Sequence, residues 1–458
     1  CFKMNWKKTL AIVPLSAAIM VPSFGGYASA QNHEGNSQPT VSTDAVDLRA
    51  TLGTLLSEHG NLAIITMRKG IEGAEDFEAA KAQLDQNTQD LSDAIASVYG
   101  EEAGEAYYDM WDAHVGYFVQ YVMGTAEEND EKKQEALDEL SQYRKDFSAF
   151  LEKATGGRVE AEALASGLQE HVNQLIGTFD AFDAGNYEEA FSTQAKARDH
   201  LYMTAKGLSS AITAQFPEKF DNQMAVTPAA DLRLTLNNLL SGHVAFAITA
   251  MQNGIEGEEA AEIFKANAAQ LATNTDKLSG AIESVYGAEA GEKFNTMWTN
   301  HIGYFVDYVK ATAAEDEEAK QVALDELTQY RADFSTFMET ATNGEISADA
   351  VSEELQDHVN QLIGSFDAYA SGDYKEAYNL FDEAYGYSGD ISKSLSSAIV
   401  TQFPDKFAPD MPSDMPKTGM GGTDKDFADY IGYIMASLVV LVAGGLYIVR
   451  RKNETASE

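Results

Sequence analysis

No proline occurs between Val41 and Phe216, nor between Ala229 and Phe403. Proline breaks helix interiors. Two uninterrupted stretches of this length, with apolar residues recurring at a period near 3.6, therefore dictate long helices. Leu52, Leu55, Leu56, Leu62 and Ala63 make one such stripe; Leu137, Leu140, Tyr143, Phe147, Phe150 and Leu151 make another. Glycines at Gly70, Gly73, Gly100, Gly124, Gly156, Gly157 and Gly185 mark where helices stop. The first stretch divides into six predicted helices, over 44–69, 75–99, 101–123, 129–154, 159–183 and 187–214. Short breaks make neighbours antiparallel, so the expected class is all-α, an antiparallel helical bundle.

The second stretch repeats the first. Asp47-Leu48-Arg49 returns as Asp231-Leu232-Arg233, and His171-Val172-Asn173-Gln174-Leu175-Ile176-Gly177 returns unchanged at 358–364. The expectation is two tandem bundles of about six helices each, at 44–220 and 229–407. Pro217 and Pro228 bracket the junction. A fainter half-repeat inside each copy pairs Leu56-Ser57-Glu58-His59 with Leu168-Gln169-Glu170-His171. Nothing in the sequence says whether the two copies pack together.

The ends carry addresses. Lys7 and Lys8 precede an apolar run and then Tyr27-Ala28-Ser29-Ala30, the pattern of a secretory signal peptide over 1–30. Met4 is the more natural initiator. Residues 31–43 are expected to be disordered. At the far end a linker at 408–429 contains Met415-Pro416-Lys417-Thr418-Gly419. An apolar segment at 430–449 follows, about 30 Å long as a helix and so a transmembrane candidate. A basic tail at 450–458 would stay cytoplasmic. This order of motif, span and basic tail resembles the sorting signal of Gram-positive cell-wall proteins, usually Leu-Pro-x-Thr-Gly. The resemblance implies cleavage by a sortase between Thr418 and Gly419 and a bond to peptidoglycan. Met415 stands where that motif has Leu.

Charge and cysteine content exclude several functions. The chain has 32 Lys and Arg against 72 Asp and Glu, a net −40. Such a surface repels a phosphate backbone, so nucleic-acid binding is excluded, and cationic ligands or metals are better partners. The one cysteine is Cys1, which rules out disulfide frameworks, zinc ribbons and cysteine nucleophiles in the repeats. No hydrolase elbow, phosphate loop, dinucleotide fingerprint or His-Glu-x-x-His is present. An enzyme is therefore the least supported class.

The histidines are the one chemical signal. His59 continues the Leu52–Leu62 stripe, His114 lies among Tyr107, Trp111, Phe118 and Tyr121, and His171 borders Leu168 and Leu175. The second copy keeps all three as His243, His301 and His358. Three imidazoles from three helices are thus expected to face one interior in each copy. Imidazole is a common transition-metal ligand and thioether selects copper. His200, Met67, Met110, Met251 and Met297 are further candidate ligands, and Glu58 and Glu170 are candidate partners that would orient a ligating His. Copper, another transition metal and haem are the candidate cofactors. The alternative is that these His are core residues satisfied by their neighbours.

The repeat motifs Gly-Ile-Glu-Gly (70–73, 254–257), Ser-Val-Tyr-Gly (97–100, 284–287) and His-x-Gly-Tyr-Phe-Val (114–119, 301–306) resemble exported bacillar proteins often labelled copper amine oxidase. The resemblance favours copper. It does not extend to oxidase chemistry: the His-x-His copper pair of true amine oxidases is absent, and Asn186-Tyr187-Glu188 becomes Asp373-Tyr374-Lys375 in the second copy. The sequence taken alone points first to a wall-anchored surface protein with a non-catalytic interaction role, and second to a metal-binding or haem-binding module.

Overall fold

A computed structural model describes residues 38–408, and within them the chain is all-helical. The first repeat contains α1 (Asp44–Glu72), α2 (Phe77–Tyr99), α3 (Glu101–Ala126), α4 (Asp130–Ala154), α5 (Ala161–Asp183) and α6 (Tyr187–Gln215). The second contains α7 (Pro228–Ile255), α8 (Ala261–Tyr286), α9 (Ala288–Ala313), α10 (Glu317–Ala341), α11 (Ala348–Ala370) and α12 (Tyr374–Gln402). Short helical turns at Pro217–Phe220, Glu258–Ala260 and Pro404–Phe407 complete the described secondary structure.

Local chemistry sets these boundaries. Thr43 and Thr227 cap α1 and α7, their hydroxyls accepting from the Val46 and Ala230 amides at 3.2 and 3.1 Å. Gly100 and Gly287 alone turn the chain from α2 to α3 and from α8 to α9, at φ +95° and +89°, where a side chain would be strained. Within each repeat successive helices pack in order and the sixth closes on the first. The first helix also reaches across to the third and fifth, so α1 touches α3 and α5, and α7 touches α9 and α11. That central placement brings the three histidine helices together.

The two repeats share one interior. α1 packs on α7 and α12, α6 on α7 and α8, and α2 on α12, and one apolar cluster contains Leu62, Phe191, Phe246 and Phe381 from both copies. As a result α1 is buried all round from Leu56 to Lys69, and α7 from Leu240 to Asn253. The contact is reciprocal. Arg49 pairs with Asp231 at 2.6 Å and donates to the Ala225 carbonyl, while its counterpart Arg233 pairs with Asp47 and donates to the Val41 carbonyl. Such an exchange is the mark of a pseudo-twofold interface.

One expectation is corrected here. The end of the segment expected to be disordered is ordered: Val41 is 3% exposed and packs on Ala229 and Val400, because its carbonyl and Thr43 are both held by α7 and α1. Among the described residues no helix is long and apolar enough to cross a membrane. The leader at 1–30, the sorting motif at 415–419 and the span at 430–449 lie outside the described residues.

Candidate metal centre

In the first repeat α1, α3 and α5 deliver His59, His114 and His171 to one point. Their ligand atoms all lie within 4.8 Å of one another, and the residues are 1%, 2% and 5% exposed. The second repeat builds the same group from His243, His301 and His358 on α7, α9 and α11. The copies agree in detail. Ring centroids of His59 and His114 are 5.2 Å apart at 46°, and those of His243 and His301 are 5.3 Å apart at 46°.

Aromatic rings wall each group. Trp111 stands edge-on to His59 at 4.8 Å and to His114 at 4.6 Å, and Tyr143 stacks on His114 at 4.8 Å. Trp298 and Tyr330 repeat this around His243 and His301. Helix periodicity does not single these rings out. Their signal was position: Trp111 lies three residues before His114, one turn along the same face.

Burial makes the imidazoles neutral. Loss of water, and then the neighbouring ring, hold His59 and His171 well below the usual histidine range. His114 and His301 are lowered to about 3 and His358 to about 4, burial being the largest cause for each. His243 is likewise lowered by burial and then by His301 and His358. Neutral rings keep a lone pair available for a cation.

Several of the ring nitrogens have no protein partner. Both nitrogens of His59 and of His243 are buried without a hydrogen bond, as are Nδ1 of His114, His171 and His301. Trp111 Nε1, Tyr143 Oη, Trp298 Nε1 and Tyr330 Oη are unpartnered too. A buried polar atom left alone costs about 1–3 kcal/mol, and folded proteins rarely tolerate a cluster of them. A structural core histidine would be tied to a carbonyl or carboxylate; His59 and His243, the first-helix members of the two groups, make no such bond through either nitrogen. Three converging neutral imidazoles fit a transition-metal ion, which would satisfy all three rings at once.

The other candidates stand apart. His200 Nε2 lies 3.0 Å from the Gly167 carbonyl, outside the close group. Met67 and Met251 are core residues, 3% exposed. They lie eight residues beyond His59 and His243, about 12 Å along the helix, too far to share an ion. Met110 and Met297 pack half-buried on the apolar clusters. Glu58 does not orient a histidine: its Oε2 accepts from Asn87 at 3.0 Å. Burial, and then Asp382 of the other repeat, push its carboxyl well up. Glu170 accepts from Gln174 at 2.9 Å on the exposed side of α5. No protein-family model matches the chain, and neither a curated protein nor a solved structure matches it.

Proposed function

We propose that this chain is an exported, cell-wall-anchored protein that binds one transition-metal ion in each of its two repeats. The observation that carries the metal reading is the convergence, in both copies, of three buried imidazoles, of which the one on the first helix, His59 or His243, has neither nitrogen hydrogen-bonded. His59, His114 and His171 hold one ion; His243, His301 and His358 hold the other. Three nitrogen ligands suit copper, zinc, nickel and iron alike. Copper is favoured by its place at the top of the divalent affinity order and by the bacillar resemblance. Haem fits poorly, because Trp111 and Tyr143 press on the imidazoles from two sides and leave no slot for a macrocycle.

The rest of the chain suits such a role. A net −40 surface concentrates cations around the molecule. Export rests on the 1–30 leader pattern, and attachment through sortase to peptidoglycan rests on Met415–Gly419 followed by the apolar span and basic tail. The reading is of a binding protein displayed at the cell surface, not of an enzyme.

X-ray absorption on the copper-loaded chain should show imidazole scattering from about three rings per ion. His59→Ala and His243→Ala should each halve the copper edge height while the remaining ion keeps about three rings. A spectrum without imidazole scattering, or an edge height that both variants leave intact, would exclude the site.

A further inference from the structure

The second metal group borders a cavity of about 70 Å³. His243 and His358 form part of its wall, together with Trp298, Leu240, Leu355 and Phe334. Except at these imidazoles and at Glu354, the lining is almost wholly aliphatic and aromatic. Ser388, the other polar residue there, turns its hydroxyl to the Tyr385 carbonyl at 2.6 Å and so presents no free hydrogen bond. Glu354 has its own partner, the Ser394 hydroxyl at 2.7 Å.

Two properties follow from elementary physics. The apolar stretch of such a wall offers water few partners and favours small apolar guests. The size admits a molecule of only a few heavy atoms, since one water needs about 10–15 Å³ on the same measure. Set against that apolar wall are groups that lack partners: both nitrogens of His243, a residue 2% exposed, and Trp298 Nε1. A guest therefore meets apolar surface on most sides and a polar edge at the imidazoles.

The two repeats keep the same histidines but not the same wall. Where Val244, Glu354, Ser388 and Ile391 line the second cavity, the first repeat has Gly60, Gly167, Leu201 and Thr204. Leu201 there reaches over Gly60, its Cδ1 within 2.7 Å of where a Cβ would stand. The His200 ring lies 3.8 Å from the corresponding point on Gly167.

We propose that the second repeat is a binding site for a small neutral molecule of the size and polarity of dioxygen or nitric oxide, seated against His243 and His358. The cavity holds this guest whether or not an ion is present. What the guest then meets rests on the metal reading: three protein ligands leave a metal with an open coordination position, and two of those three ligands face the cavity.

Xenon tests this on the metal-free full chain, so failure to bind a metal and failure to bind a guest are separate results. Crystals under xenon pressure should show an anomalous peak within the cavity. In solution the Trp298 indole N–H resonance should shift saturably with xenon pressure. Val351→Phe, which fills the cavity from α11, should weaken that shift at least tenfold while leaving the circular dichroism of the helices unchanged. Wild-type protein with no xenon peak beside His243 and His358, or with a Trp298 shift that is linear in pressure and unaltered by Val351→Phe, overturns the proposal.

Discussion

Lys69 is 2% exposed and sits where the two repeats meet. Its Nζ lies 3.2 Å from Asp76, 2.8 Å from Glu256 and 2.8 Å from the Tyr369 hydroxyl. Asp76 is equally buried and also accepts from Tyr378 at 2.9 Å. Two of these partners, Glu256 and Tyr369, belong to the other repeat, so one ammonium fastens both copies. Lys69→Met keeps most of the volume and removes the charge. Asp76 is then a buried carboxylate with a single phenolic donor, and breaking such a pair costs about 3–5 kcal/mol. Replacing Asp76 as well, in Lys69→Met/Asp76→Asn, should recover much of that loss, because the penalty comes from the charge left behind. Urea unfolding of the three proteins measures both steps. A single-variant loss below about 1 kcal/mol, or a double variant no more stable than Lys69→Met, would refute this reading of the interface.

Other outcomes follow from the same structure. In the metal-free chain the buried imidazoles stay neutral, whereas in the unfolded chain they take up a proton near pH 6.5. The unfolded state therefore binds more protons between pH 6.5 and about 3, and stability falls as pH drops, by about 1.4 kcal/mol per pH unit for each of His114 and His301. His114→Phe/His301→Phe should flatten that slope in urea titrations at pH 6.5 and 5.5; an identical slope in the variant contradicts it. Glu58 has the opposite sign. Its carboxyl is raised above its unfolded value by burial and Asp382, so stability declines as pH rises above about 4.5. Glu58→Gln should remove this decline and stabilise the protein at pH 8, and equal stabilities of variant and wild type there would count against it. Pro416→Ala should move the protein from the wall fraction to the membrane fraction of producing cells; an unchanged wall fraction would remove the sorting assignment.

Much of the bundle was legible because helix periodicity is a local property. The predicted helices fall within three residues of the observed ones, Thr43 and Gly100 being ordinary start and stop signals. The histidine group was legible for the same reason: His59 extends a stripe already defined by Leu52, Leu55 and Leu56, and duplication repeats it. The interface was not. A stripe implies one buried face, yet α1 is buried on every side from Leu56 to Lys69. Lys69 reads as a solvated helix end until Glu256 and Tyr369 arrive from the other repeat. Val41 reads as part of a tail because its neighbours Ala229 and Val400 are remote in sequence. The cavity left no periodic trace at all. It arises from differences of side-chain volume at matched positions, such as Leu201 against Ser388, and pattern alone is blind to volume.

The number of transition-metal ions held by the folded chain bears most directly on the site. After exposure to excess copper and removal of unbound ion, native mass spectrometry should find two ions per chain, falling to one in His114→Ala and to one in His301→Ala. A chain that retains no copper, or whose copper content ignores both substitutions, would show that the converging imidazoles are not ligands.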